Sequence, residues 1–372
     1  MMSSQYLPED ILSNILSRLP VQSLLRFRSV CKFWYALIGS PSFKEEHYHH
    51  AASKNDGQLL VEHEIRNRVK CSLLDNILHV SKYLDFPMEF TNSSTILGVC
   101  NGIVLISLNG VDKIVLWNPA IREVRVLPNN LRREEKVQRS RIGFGYDPKT
   151  NDYKVVRIFL YWDKKRRADC IDQSVEVYSL STNMWREIKP SGIYGYGMFC
   201  EEAYACGAYH WLVYNHEDDG LFVLSFDMTN EVFYRTGFSL DASNKGRLWK
   251  LLTVNESIAI VLYKLVGFGE CFDVWIRNHL SGDINEGYWT KKCSLKALCE
   301  LGRSVEKPLL FWKNGLFLVE SGAGNLTYCD TFNGKLRQID VHFDDPLRVS
   351  NVFIYKESLF SLKTPEKSFE HS

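Results

Sequence analysis

Leu7-Pro8-Glu9-Asp10-Ile11-Leu12-Ser13-Asn14-Ile15-Leu16-Ser17-Arg18-Leu19-Pro20 opens with a helix-starting signal and closes with a helix-stopping one. Pro8 suits the first helical position, where its fixed φ and missing N–H cost nothing, and Glu9 and Asp10 set negative charge against the positive end of the dipole. Ile11, Leu12, Ile15, Leu16 and Leu19 then recur on one side at helical spacing until Pro20, whose ring clashes with the preceding turn. The pattern predicts a helix of about three turns.

A second short helix is predicted from Gln22 or Ser23, carrying Leu24, Leu25 and Phe27. A third carries Val30, Cys31, Phe33, Trp34, Leu37 and Ile38, and Gly39-Ser40-Pro41 ends it. Ser40 is placed to cap a following helix with Pro41 at its first position. A unit of about 45 residues has too little interior to bury so many large apolar side chains. A surplus apolar face is therefore expected to meet a partner. His47, His49 and His50 lie just beyond; a metal site is conceivable there, and a solvated helix end is the expected reading. Lys54-Asn55-Asp56-Gly57 reads as a linker and turn.

Over 372 residues the chain is 45% hydrophobic and 24% charged, the composition of a globular protein of two domains. Its 45 Lys and Arg balance 44 Asp and Glu, so no net field draws nucleic acid or an anionic membrane. The longest apolar run, residues 258–268, is broken by Lys264 and falls short of the ~20 residues of a membrane span. With no signal-like segment, a cytoplasmic location, with the nucleus as a second, is expected. Ten scattered cysteines form no Cys-x-x-Cys pair, so reduced thiols used as small hydrophobes are expected, with no metal and no cofactor. Three Asn-x-Ser/Thr tripeptides, at Asn92, Asn255 and Asn325, are discounted because glycosylation needs a secretory route.

Beyond Gly57 the pattern turns from helical to alternating and aromatic. A strand–turn–strand unit recurs: Ile114-Val115-Leu116-Trp117-Asn118-Pro119-Ala120-Ile121-Arg122-Glu123-Val124, then the matching stretches 175–185, 223–233 and 326–336, with 272–275 joined to Tyr288-Trp289 by a longer loop. Trp117, Tyr178, Phe226, Trp275 and Tyr328 hold comparable positions, 61, 48, 49 and 53 residues apart. Such steps suit propeller blades of about 40 to 50 residues, and two further apolar strands precede each hairpin. Residues 349–355 and 358–362 are expected to join 58–61 and 69–73 in a sixth blade closed by both chain ends. The fold class is thus α+β multidomain: a three-helix module over 1–50, a linker over 51–57, an all-β domain over 58–365 as a six-bladed kelch-like β-propeller, and a polar tail over 366–372. A two-sheet β-sandwich is the alternative.

The pattern Leu7-Pro8, Ile11, Ile15, Leu19-Pro20, Leu24, Arg28, Val30-Cys31, Trp34, Ile38 resembles the F-box, by which substrate receptors join cullin-type ubiquitin ligases. The resemblance implies a Skp-family adaptor, and through it a cullin, as partners. Positions matching the family's buried contacts are Leu7, Pro8, Ile11, Ile15, Leu19, Pro20, Leu24, Val30, Cys31 and Trp34, of which about half also serve the module's own core. The β region resembles the plant F-box-associated domain in Cys100-Asn101-Gly102-Ile103, Leu116-Trp117-Asn118-Pro119-Ala120, Gly143-Phe144-Gly145-Tyr146-Asp147, Asn151-Asp152-Tyr153-Lys154-Val155-Val156-Arg157 and Asp273-Val274-Trp275-Ile276. Residues 175–188, 308–313 and 326–330 look most like the S-locus F-box and S-locus F-box-like group; S-locus members recognise non-self stylar ribonucleases in self-incompatibility, which the resemblance implies as one candidate target.

No catalytic constellation stands out: there is no Gly-x-Ser-x-Gly elbow, phosphate loop or His-Glu-x-x-His. Gly192-Ile193-Tyr194-Gly195-Tyr196-Gly197 reads as an aromatic recognition loop, and Lys164-Lys165-Arg166-Arg167 as a solvated inter-strand loop rather than an import signal. The leading expectation is a non-catalytic receptor that presents a target protein for ubiquitination. A non-degradative scaffold and a propeller enzyme are the alternatives. Target contact is expected on loops at one face, over 131–141, 160–173, 190–200, 216–220 and 279–287, with Arg166, Arg167, Tyr194, Tyr196, Asp218 and Asp219 as candidate residues.

Overall fold

The structure, a computed structural model, describes residues 7–53, 57–65, 68–86, 94–108, 113–129, 137–162, 171–189, 197–215, 220–239, 247–263, 272–280, 283–295, 305–321, 325–331, 336–339 and 348–363. Four helices lead: α1 (Glu9–Leu16), α2 (Val21–Phe27), α3 (Lys32–Gly39) and α4 (Pro41–Ser53). Pro8 sits at the extended N-cap of α1, and its carbonyl accepts the Leu12 N–H at 3.1 Å. The helix is shorter than its periodicity suggested, because Arg18 and Leu19 donate to Ile15 and Leu16 in tighter turns ahead of Pro20. Val30 and Cys31 precede α3 rather than lying within it. At α4 the expected cap forms, with Ser40 Oγ accepting the Phe43 N–H at 3.3 Å.

One expectation about α4 is overturned. His47 is not at a solvated helix end: it is buried, and its Nε2 meets the Leu19 carbonyl at 2.9 Å. That contact takes up a carbonyl left open where Pro20 breaks the chain's helical pattern. Leu16, Val21, Leu24, Ile38 and Phe43 form the helical core, completed by Ala120 and Leu359 of the β domain.

The β domain is a ring of six four-stranded antiparallel sheets. The chain supplies β1 (Gln58–Ile65), β2 (Arg68–Leu74) and β3 (Val80–Leu84), then five complete blades: β4 (Thr95–Cys100), β5 (Ile103–Leu108), β6 (Lys113–Asn118), β7 (Glu123–Val126); β8 (Val137–Asp147), β9 (Asp152–Trp162), β10 (Ile171–Ser179), β11 (Met184–Ile188); β12 (Gly197–Ala205), β13 (Ala208–Asn215), β14 (Gly220–Asp227), β15 (Phe233–Phe238); β16 (Leu248–Val254), β17 (Ser257–Tyr263), β18 (Phe272–Leu280), β19 (Asp283–Leu295); β20 (Val305–Trp312), β21 (Leu316–Ser321), β22 (Asn325–Asp330), β23 (Leu336–Gln338). The last strand, β24 (Arg348–Tyr355), pairs with β1 and completes the closing blade. Six apolar cores follow, each shared by two neighbouring blades around the full circuit. Closure by both chain ends leaves no open blade in the ring, and the sandwich alternative falls.

The closing blade takes three strands from the N-terminal side and one from the C-terminal side, not two from each. Residues 358–362 form no strand. They run instead along the first complete blade, where Asn118 Nδ2 donates to the Ser358 and Phe360 carbonyls and the Glu123 carboxylate accepts from Ser361 Oγ and the Leu362 N–H. In the fourth complete blade, the expected long loop is mostly strand: β18 and β19 pair out to Leu280 opposite Asp283.

Glycine lets two blades approach. A Cβ at Gly143 would stand 2.8 Å from the Tyr209 ring, and one at Gly145 would overlap Tyr204. Below that contact, Lys154 Nζ donates to Asp147 Oδ2 and the Met228 carbonyl, each at 2.7 Å, and pairs with Glu231 at 2.8 Å. Burial alone would raise the Asp147 carboxyl, yet donation from Lys154, Thr150 and the Lys149 N–H holds it down at about 2.

Candidate docking site and channel

The helical module leaves a band of large apolar side chains uncovered. Leu7 is 57% exposed, Ile11 48%, Ile15 47% and Val30 61%, with Pro8, Pro20 and Cys31 exposed beside them. This is the surplus that the size argument required. Leu19 and Trp34 are half-buried, Trp34 packing edge-on to Phe27 at 5.4 Å, and Leu24 is fully buried in the module's own core. Leu24 therefore supports the surface from beneath. The candidate adaptor contacts left out Phe33, named only among the apolar residues of the third helix, and Tyr35; the two are exposed at 46% and 57%. Adjacent helix positions do not share a face, so the spacing from Trp34 was no signal for either residue.

The module is not tethered loosely. Glu45 accepts from the Tyr146 hydroxyl at 3.3 Å, and Lys356 donates to the Tyr48 carbonyl while its ammonium lies over the Tyr48 ring. Tyr48 also meets Phe360, their ring centres 5.8 Å apart. These contacts hold the helices against the ends of the first two complete blades, beside the β4–β5, β6–β7 and β8–β9 turns.

That placement gives the ring two unlike faces. Connections from the first to the second and from the third to the fourth strand of each complete blade lie on the helical side, and the others leave from the far side. Of the candidate target loops, 131–141, 160–173, 190–200 and 216–220 are described only where they include strand ends, and those ends lie on the far side. The described residues of 279–287 belong to β18 and β19 and lie on the helical side, so the described parts of the five do not share one face. Parts of the others are strand: β8 begins at Val137, β9 reaches Trp162 and β12 begins at Gly197. Arg166, Arg167, Tyr194, Tyr196, Asp218 and Asp219 lie outside the described residues.

The first strands β4, β8, β12, β16 and β20, with β24, surround a central channel holding a cavity of about 510 Å³. Its wall carries Arg141, Glu201, Glu202, Lys250 and Lys307 among aromatic side chains. Lys250 pairs with Glu201. Among the described residues no helix is long and apolar enough to cross a membrane, and no cluster of His, Cys, Asp and Glu side chains is arranged for a metal. Cys71, Cys100 and Cys329 are buried free thiols, used as the small hydrophobes expected.

A helical docking module fixed to a closed β-propeller is the class that this fold and surface define. The chain belongs to the F-box protein family: the F-box domain matches residues 5–46 and the F-box associated beta propeller domain matches residues 64–362. It is similar to an F-box/kelch-repeat protein of Arabidopsis thaliana, at 26% identity over 74% of this chain and 71% of that one. A second F-box/kelch-repeat protein of the same plant is 24% identical over 88% of this chain and 91% of its own length. An Arabidopsis thaliana F-box protein is 24% identical over 72% of this chain and 73% of that one.

Proposed function

We propose that this protein is the substrate-recognition subunit of an SCF-type ubiquitin ligase: its F-box binds a Skp-family adaptor, hence a cullin, and its propeller holds a protein target for ubiquitination and proteasomal degradation. The observation that carries the reading is the exposed band of Leu7, Ile11, Ile15, Val30, Phe33 and Tyr35 beside a core that is otherwise filled. A fixed module on a closed ring suits a receptor, since it holds the target at a defined distance from the transferring subunits. The receptor makes and breaks no bond itself. It acts in the cytoplasm, with the nucleus as a second location, and engages neither nucleic acid nor membrane.

Targets are read on this proposal by the far-side connections, away from the F-box. The finer assignment, recognition of non-self stylar ribonucleases, is supported by the S-locus-like stretches 175–188, 308–313 and 326–330 alone. Affinity capture from plant tissue with full-length Ile11→Asp/Ile15→Asp protein, which cannot deliver its targets, tests both levels. Targets that accumulate on this variant and are stabilised by proteasome inhibition support the receptor reading; bound partners indifferent to the inhibitor favour a scaffold. Stylar ribonucleases among the captured proteins would support the finer assignment, and their absence from a pistil extract would overturn it.

A further inference from the structure

We propose that the partner face covering the apolar band of the F-box is acidic: carboxylates of the docked adaptor lie against Arg26, Arg28 and Lys32, and these charges set how fast the two proteins meet. The inference rests on the receptor reading above and adds the chemistry of the partner surface. From Ile11 to Lys44 the chain holds five cationic residues, Arg18, Arg26, Arg28, Lys32 and Lys44, and no Asp or Glu, although the whole chain balances 45 Lys and Arg against 44 Asp and Glu. A docking surface rimmed by one sign of charge selects a partner of the other sign.

The charges lie where the band lies. Lys32, Tyr35, Ala36 and Gly39 share one face of α3 at helical spacing. Arg28 runs along that face: its guanidinium carbon stands 4.8 Å from the centre of the Tyr35 ring, and its Nη2 would be 3.9 Å from a Cβ at Gly39. The exposed Tyr35 ring thus carries Arg28 on it, with the exposed Lys32 one turn away and the exposed Val30 and Cys31 leading into Lys32. Arg26 is exposed on α2, two residues before Arg28.

Nothing within the module offsets this field. Among the described residues none of the five cations is in an ion pair, and Arg18 donates instead to the neutral Asn14 side chain at 2.9 Å. Neither α3 nor α4 has an acidic residue in its first turn, so the positive ends of both helices add to the same sign. The charge of Arg28 is felt at Lys44, whose pKa is lowered by burial and then by Arg28, with Glu123 opposing. The acids of the module are placed elsewhere: Glu9 and Asp10 begin α1, Glu45 accepts from the Tyr146 hydroxyl and Glu46 from Ser13 Oγ. Long-range attraction of this kind acts on encounter, while the apolar band holds the complex once formed.

The test uses the full chain and a purified Skp-family adaptor, with association and dissociation rates followed by stopped-flow fluorescence from about 50 to about 500 mM NaCl, over which the screening length shrinks to a few ångströms. The association rate should fall by about tenfold across that range. Arg26→Glu/Lys32→Glu, at two exposed positions, should slow association at low salt by about tenfold, remove most of the salt dependence and leave dissociation within about twofold. Glu9→Gln/Asp10→Asn removes charge of the opposite sign and should not slow association. The wild-type salt series does not depend on either variant folding. If Ile11→Asp abolishes binding while neither salt nor Arg26→Glu/Lys32→Glu changes the association rate, the docking surface stands and the acidic partner face is overturned. Association that quickens with salt or in Arg26→Glu/Lys32→Glu points to a basic partner face and overturns it too. Wild-type protein that binds no adaptor at any salt would bring down the receptor reading itself, and this inference with it.

Discussion

Asn118 Nδ2 lies 2.8 Å from the carbonyl oxygen of Phe360, which joins the third strand of the first complete blade to a segment about 240 residues further along the chain. The same amide reaches the Ser358 carbonyl at 3.2 Å, while Asn118 Oδ1 accepts the Ala120 N–H at 3.1 Å. Residues 356–362 are thereby fixed between the propeller and α4. The strap that they form is continuous with β24, so one short stretch both closes the ring and carries the F-box.

Two truncations should separate these roles. Ending the chain after residue 347 deletes β24 and exposes the edge of β1, and is expected to abolish cooperative unfolding of the β domain. Ending it after Tyr355 keeps the pairing with β1 and should leave a soluble, cooperative propeller whose F-box is freed from Leu359 and Lys356. Asn118→Ala should cost about 1 to 3 kcal/mol, since it strands buried carbonyls. Urea titration and limited proteolysis between α4 and β1 read all three.

Adaptor binding should separate from stability along the F-box surface. Ile11→Asp, at an exposed position, should abolish adaptor binding in a pull-down while shifting unfolding by no more than about 0.5 kcal/mol. Leu24→Asp places a charge in the core and should unfold the module. Trp34→Ala should do some of each, costing about 2 to 4 kcal/mol of affinity and also lowering the melt, because the ring packs on Phe27. Full adaptor affinity in Ile11→Asp would refute the docking surface.

The Lys154 network predicts an acid-labile joint between the second and third complete blades. The Asp147 carboxyl is held below its unfolded value, so its contribution is fully present above about pH 4 and is lost as the pH falls towards 2. Loss of roughly 1 to 2 kcal/mol is expected across that window. Lys154→Met leaves Asp147 buried without its cation and should destabilise the protein by about 3 to 5 kcal/mol at neutral pH. Denaturant midpoints measured from pH 7 to pH 2 check both.

His47 predicts a second, milder response. Burial lowers its pKa, with the Leu19 carbonyl opposing and Lys356 and His50 adding to the shift. A depressed histidine favours the folded state above its ordinary value near 6.5, and that contribution is lost as the pH falls below it. Fluorescence of Trp34, followed from pH 8 to pH 5, should report loosening of the F-box that is absent in His47→Gln.

Local spacing was enough to read the helical module, the recurrent hairpins and the ring of six, because amphipathic period, proline position and turn residues act over a few neighbours. The ten positions carried over from the F-box resemblance fall mostly on the outside of the module, seven of them exposed. Spacing could not separate Leu24, wholly internal, from Ile11 and Ile15, since all three are apolar residues at helical spacing and only packing decides which face is covered. Residues 358–362 look like a strand by alternation, yet β3 takes the remaining place in the closing blade and Asn118 and Glu123 take up their backbone. His47, judged from its neighbours, belonged at a wet helix end; a carbonyl 28 residues earlier draws it inside. The two faces of the ring and the channel between them exist only after closure, because Arg141, Glu202, Lys250 and Lys307 come from four different blades. Sequence determined the pieces and their order, and long-range pairing of the chain ends decided where those pieces meet.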